Sequence, residues 1–255
     1  MTAVEESLGV HLRTLQLPPF ARDREEVARV AESEGWTFER YLLELAEREL
    51  LDRGQRRIER LYRQSKLPAD KTKETLEMDR LSPKVRRRLP QLFEGHFVSR
   101  AENVLAFGLP GRGKTHCLAA IGHELVRQGM PVLFIPAYRL VQQLLAAKRD
   151  LVLEATVRRM DRFEAVIVDD IGYVQQDREE IEVLFTFLAE RYERRSVLIT
   201  SNLVFSEWDR IFKDPMTTAC AIDRLVHHAT ILELTGTSYR EEAAKLRGRE
   251  EKGAA

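Results

Sequence analysis

The stretch Gly108-Leu109-Pro110-Gly111-Arg112-Gly113-Lys114-Thr115, GLPGRGKT, decides the fold. It fits the pattern G-x-x-x-x-G-K-[ST], whose glycines let a loop curl so that backbone N–H groups point at phosphate oxygens. The helix that follows adds the positive end of its dipole, Lys114 supplies a point charge, and the Thr115 hydroxyl offers a hard oxygen ligand for Mg²⁺. Context sharpens the match. The apolar run VLAFG (104–108) leads into the loop and the amphipathic segment THCLAAIGHELVRQG leads out of it. Strand, glycine-rich turn and helix, in that order, make a phosphate-binding loop.

Outward from the loop, short apolar runs recur: VLFIPA (132–137), AVIVDD (165–170), SVLITSN (196–202) and TILELTG (230–236). Amphipathic segments beginning near Gly113, Ala137, Asp177 and Phe205 separate them. Five apolar strands with helical crossovers predict an α/β fold, a five-stranded parallel sheet with helices on both faces. The third run ends in Asp169-Asp170, and two carboxylates at a strand end beside a phosphate loop suit a metal and a water. Asp169 is expected in the Mg²⁺ shell and Asp170 to orient or activate the attacking water. Successive strand residues face opposite sides, which favours two roles over a shared proton. Asn202 ends the fourth run, where an amide can orient that water or simply cap the strand. Arg224 lies in a helical segment, placed either to reach the nucleotide of a neighbouring subunit or to form a surface ion pair.

Before the sheet, the chain is expected to be helical. Val4, Leu8, Leu12 and Leu15 mark a helix stopped by Pro18-Pro19, and Val27, Val30 and Ala31 mark a short one ended near Gly35. A long third helix is predicted from Phe38 to about Gln64, with Gly54 a weak point. Arg53, Arg56, Arg60 and Arg63 fall on one face of it. Residues 66–98, with Pro68, Pro83 and Pro90, are expected to dock on the following domain as short helices. The domain plan is therefore 1–65 helical, 66–98 linker, 99–241 nucleotide-binding and 242–255 a charged, disordered tail.

Net charge is zero, yet Asp52 to Arg88 carries 13 Lys and Arg against 6 Asp and Glu, so the rest of the chain balances a local excess of +7. Such asymmetry suits a localised anionic partner, or a solvated helix face with a charged linker. No apolar run approaches the roughly 18 residues needed to cross a membrane. The acidic start MTAVEESLGV lacks the regions of a signal peptide. Two cysteines in helical segments, Cys117 and Cys220, predict a reduced cytoplasmic chain with buried thiols. His116, His227 and His228 lack the spacing and partners of a metal site and are expected to be structural.

GLPGRGKTH, VIVDDIGYV, ITSNLVFSEW and AIDRLVHHATILELTGTSYR resemble, in that order, successive motifs of the IstB/DnaC group of AAA+ ATPases. LPADKTKETLEMDRL and the helical N-terminus are similar to the IstB branch, ATP-dependent helpers of insertion-sequence transposases. The resemblance runs over most of residues 5–241. It implies a P-loop AAA+ fold lacking a C-terminal lid, with ATP and Mg²⁺ as cofactors. Gly108 to Thr115 would be the Walker A loop, Asp169-Asp170 the Walker B acids, Asn202 the sensor-1 residue and Arg224 an arginine finger acting across a subunit boundary. AYRLVQQLLAAKRD would correspond to the initiator-specific element, and Arg240 is a γ-phosphate contact by analogy. Leu109 and Arg112 stand where relatives usually carry Pro and Thr, and Asp170 where many carry Glu, which predicts slow hydrolysis.

The resemblance implies a homo-oligomer that forms on duplex DNA with ATP, delivers the DNA to a transposase of the integrase type, and releases it on hydrolysis. Arg53, Arg56, Arg60 and Arg63, with Arg139, Lys148 and Arg149 near the insert, are the candidate phosphate-gripping cations. The arginine stripe could equally dock the transposase. The alternatives are a DnaC-type loader that binds a replicative helicase and single-stranded DNA, and a nucleotide-dependent scaffold without DNA. No row of aromatics for base stacking is present, which favours duplex.

Overall fold

A computed structural model describes residues 3–173, 177–204, 207–208 and 215–235. Phe205 and the stretch 236–255, including Arg240 and the expected tail, lie outside them. The chain divides into two compact units, Met1–Arg60 and Leu61–Ala255.

The first unit is helical: α1 (Ala3–Thr14), α2 (Pro18–Glu34) and the greater part of α3 (Phe38–Ser65). Pro18-Pro19 opens α2 rather than merely stopping α1, because proline at the first helical positions forfeits only donors that have no partner there. The second helix is accordingly 17 residues long, not short. Gly35 ends it in the left-handed conformation, with φ 64°. Leu12, Val27 and Leu45 are buried, and α3 runs through Gly54 unbroken.

The second unit carries the sheet, strand order β2-β3-β4-β1-β5 and parallel throughout. Its strands are β1 (Asn103–Phe107), β2 (Val132–Pro136), β3 (Ala165–Asp169), β4 (Ser196–Ser201) and β5 (Ala229–Glu233). Every residue of β1 and β4 is buried, as expected for runs covered on both faces. The crossovers are α6 (Lys114–Arg127), α7 (Ala137–Arg149), α8 (Leu153–Met160), α9 (Arg178–Arg191) and α10 (Pro215–Val226). The intervening residues fold as α4 (Pro83–Phe93), capped by Ser82, and the single turn α5 (His96–Ser99). The loops after β1, β3 and β4, adjacent strands, leave the same edge of the sheet, where open parallel sheets bind ligands.

Arg191, fully buried, ties the opposite end together. Its guanidinium donates to the carbonyls of Phe163 (3.0 Å), Met160 (3.2 Å) and Ser196 (3.2 Å), with Asp161 Oδ1 at 3.5 Å. Burial pulls its pKa down to about 10, which leaves it charged at neutral pH. Arg191→Ala would remove these hydrogen bonds, leave Asp161 without its buried cation and open a cavity, and should cost about 3–5 kcal/mol in urea unfolding. Arg191→Lys should recover only part of that, because a point charge cannot serve three diverging carbonyls.

Candidate functional site

The loop after β1 is shaped by its glycines. Gly111 and Gly113 have φ of 79° and 84°, a conformation side-chain-bearing residues rarely take. A Cβ on Gly108 would run into the carbonyl oxygen of Leu234, just past β5. Lys114 is 5% exposed, and its ammonium donates to Gly108 O (2.7 Å) and Leu109 O (3.1 Å). The lysine is thus folded back over its own loop, held among oxygens.

Asp169 and Asp170 separate as the strand pattern requires. Asp169 Oδ1 accepts from Thr115 Oγ1 (2.9 Å) and from Thr200 Oγ1 (2.7 Å). A hydroxyl and a carboxylate at this distance are a hard-oxygen donor pair suited to Mg²⁺. Asp170 takes a left-handed backbone, φ 59°, and its N–H donates to Thr200 Oγ1 (2.7 Å). It lines a cavity of about 220 Å³ together with Pro110–Thr115, Asn202, His116 and Lys71. Asn202 Oδ1 is buried without a hydrogen-bond partner among the described residues, and a Cβ on Gly172 would collide with it.

Three residues at this site escape motif reading. Thr200 bridges Asp169 to Asp170, and its signal was a lone hydroxyl near the end of an apolar strand. Gly172 leaves room for Asn202, two residues after the acids. Lys71 comes from the linker, far from any phosphate-loop pattern. Arg112 lines this cavity and an adjoining one of about 380 Å³ bordered by Asn202, Glu207 and the end of β5. His116 Nε2 donates to Thr72 O (3.1 Å) and lies 3.1 Å from Thr75 Oγ1; burial pushes its pKa down, so the ring is neutral.

Arg224 does not line the cavity. It sits half-buried on α10 with its guanidinium 5.1 Å from the Phe185 ring of α9. Among the candidate DNA cations, Arg53 pairs with Glu49 (2.6 Å), and Arg56 with Asp52 (2.6 Å) and Glu49 (3.5 Å). Lys148 pairs with Glu182 (2.8 Å), and Arg139 donates to Tyr138 (2.9 Å). Arg60, Arg63 and Arg149 are exposed and make no ion pair among the described residues. Helix α7, the expected insert, is seated in the core by Leu140, Val141 and Leu144 and turns these cations outward.

Two expectations are corrected. Cys117 is buried, its thiol pushed up to about 12, but Cys220 is exposed, because it falls on the outer side of α10. His227 and His228 do have a partner: the turn after α9 brings Glu193 within 3.7 and 3.9 Å, and Tyr192 OH lies 2.8 Å from His227 Nδ1. No described helix is long and apolar enough to cross a membrane.

Comparison with known proteins agrees with this architecture. Among solved structures, DnaI superposes with a TM-score of 0.55 at 19% identity, covering 67% of this chain and 96% of that one. A DnaA bound to AMPPCP and single-stranded DNA superposes at 0.57 with 16% identity, covering 73% and 56%. These establish the AAA+ P-loop fold. In sequence, the chain is 42% identical over 97% of its length to an insertion-sequence ATP-binding protein of Sinorhizobium fredii, covering 85% of that protein. It is 34% identical over 94% of its length to the IS21 ATP-binding protein of Pseudomonas aeruginosa, covering 91%. The profile of the IstB-like ATP binding proteins matches residues 10–246, and the chain belongs to that family.

Proposed function

We propose that this chain is the ATP-hydrolysing helper of an insertion-sequence transposase, which assembles on duplex DNA with ATP and delivers that DNA, hydrolysis driving release. The observation that carries the nucleotide half is the convergence of Lys114, Thr115–Asp169, Asp170 and Asn202 on one edge of the sheet. The family supports the rest, since its members are named as ATP-binding proteins of insertion sequences.

On this reading the loop N–H groups and Lys114 hold the β- and γ-phosphates, with Lys114 exchanging its own loop carbonyls for phosphate oxygens. Thr115 and Asp169 would hold Mg²⁺, which supplies charge neutralisation at the phosphates when bound. Asp170 positions the attacking water and Asn202, which lines the same cavity, fixes its orientation. Arg224 acts on the nucleotide of the adjacent subunit; its distance from its own cavity supports a role across a boundary. The alternative of a helicase loader is met by a likeness to the DnaC helicase loader, which at 15% identity concerns the fold alone.

Lys114→Ala should weaken ATP binding by about a hundredfold, from the loss of a buried charge-assisted contact; an affinity equal to wild type would sink the nucleotide assignment. Arg224→Ala should keep ATP binding while DNA-stimulated turnover falls by about a thousandfold. Wild-type turnover with intact oligomers would remove its cross-subunit role. Arg60→Glu with Arg63→Glu should lower the salt slope of duplex binding by about two. The same reversal at Arg53 and Arg56, which already face carboxylates, should do less, and an equal effect would contradict the pairing argument.

A further inference from the structure

Residues 66–76 form a strap along one face of α6. His116, His123 and Arg127 share that face, at steps of seven and four. The strap meets each of them. Arg127 pairs with Glu74 at 2.7 Å, a contact that holds the Glu74 carboxyl down at about 2. His123 Nε2 donates to Pro68 O (3.0 Å), while Tyr62 OH donates to His123 O (3.1 Å). Between these bonds Leu67 packs so closely on Gly122 that a Cβ there would lie 2.8 Å from it. At the loop end, His116 is bound by Thr72 and Thr75, and His116 directly follows Thr115.

Lys71 sits between the anchors at Pro68 and Thr72 and lines the same cavity as Arg112 and Lys114. Its carboxylate neighbour is Asp70 at 3.3 Å, whose side chain is 78% exposed. An exposed pair between sequence neighbours is weak and easily exchanged. Three cations line one cavity against the single carboxylate of Asp170, an excess of positive charge suited to a polyanion, and the strap carries one of them.

We infer that Lys71 is a nucleotide-binding residue that contacts the polyphosphate, so that a bound nucleoside triphosphate tightens the strap already seated on α6. This rests on the ATP reading above and adds regulation to it. Binding at two linked places is reciprocal: what tightens the strap tightens the nucleotide, and the reverse. The strap is the direct continuation of α3, so the end of that helix, Leu61–Ser65, receives the signal. A phosphate loop alone gives the core no such report. Because the contact is ionic, it should scale with phosphate charge, strong for ATP and slight for AMP.

The test is titration of full-length wild-type, Lys71→Ala, Lys71→Arg and Lys114→Ala proteins with a fluorescent ATP analogue and with AMP, alongside hydrogen exchange over residues 66–76. Lys71→Ala should bind the ATP analogue about tenfold more weakly, with AMP changed less than about twofold and Lys71→Arg near wild type. ATP should slow strap exchange in wild type and fail to do so in Lys71→Ala. An ATP affinity within twofold of wild type in Lys71→Ala, or wild-type strap exchange indifferent to ATP, overturns the inference. If Lys114→Ala also binds ATP normally, the nucleotide assignment itself fails; if only Lys71→Ala does, the strap alone is wrong.

Discussion

One carboxylate oxygen, Oδ1 of Asp169, holds the candidate site together. It accepts from Thr115 at the start of α6 and from Thr200 near the end of β4, and Thr200 in turn accepts from the Asp170 N–H. Three elements distant in sequence are thereby tied together at one point. The strand order makes this possible, because β4 lies between β1 and β3. A partly buried carboxylate needs such donors, since desolvation without them is costly. The same bonds present a hydroxyl and a carboxylate side by side, a pre-formed hard-oxygen pair.

The charges around the cavity differ in kind from those elsewhere in the fold. At the other end of the sheet, Arg191 is fully buried and its guanidinium is met by four carbonyls and a carboxylate, so that most of the cost of burial is offset in place. At the cavity, Lys71 and Arg112 line open space beside the buried Lys114 and leave a field suited to an anion. One arrangement stabilises the chain and the other is organised for a ligand. Arg191 and Arg112 carry the same guanidinium; what surrounds it decides which use it has.

The sheet was legible because each strand is a short apolar run bounded by polar residues; four strands fall within one residue of the expected bounds, and β5 ends three residues early. The loop and both acids were legible because the chemistry needs those residue types next to one another. What was not legible is contact across sequence distance. Nothing in LPADKTKETL says that Lys71 reaches a loop some forty residues on, or that His116 is tied to Thr72. Thr200 looked like one more strand residue, since hydroxyls in strands carry no signal until the neighbour is known. Helix α8 went unseen because its eight residues are too few to set up a clear period. Glu193 beside His227 and His228 follows from the parallel pairing, which brings the turns before β4 and β5 to the same end of the sheet. Pro18-Pro19 misled in the other direction, since proline stops a helix and also starts one.

Asp170 and Asn202 occupy the wall of the cavity least able to move. The Asp170 N–H is committed to Thr200, its backbone is held at φ 59°, and a Cβ on Gly172 would collide with Asn202. Their spacing is therefore set by the β3–β4 pairing just before them. On the proposed reading the acid that positions water is also one methylene shorter than a glutamate, and the wall cannot shift to make up the difference. The chemical step would then be slow and nearly constant, with control left to groups carried outside the sheet: Arg224 on α10, acting across a subunit boundary, and Lys71 on the strap. A fixed wall with adjustable arms is the arrangement expected of a timer, whose rate is set once and whose start depends on what has assembled around it.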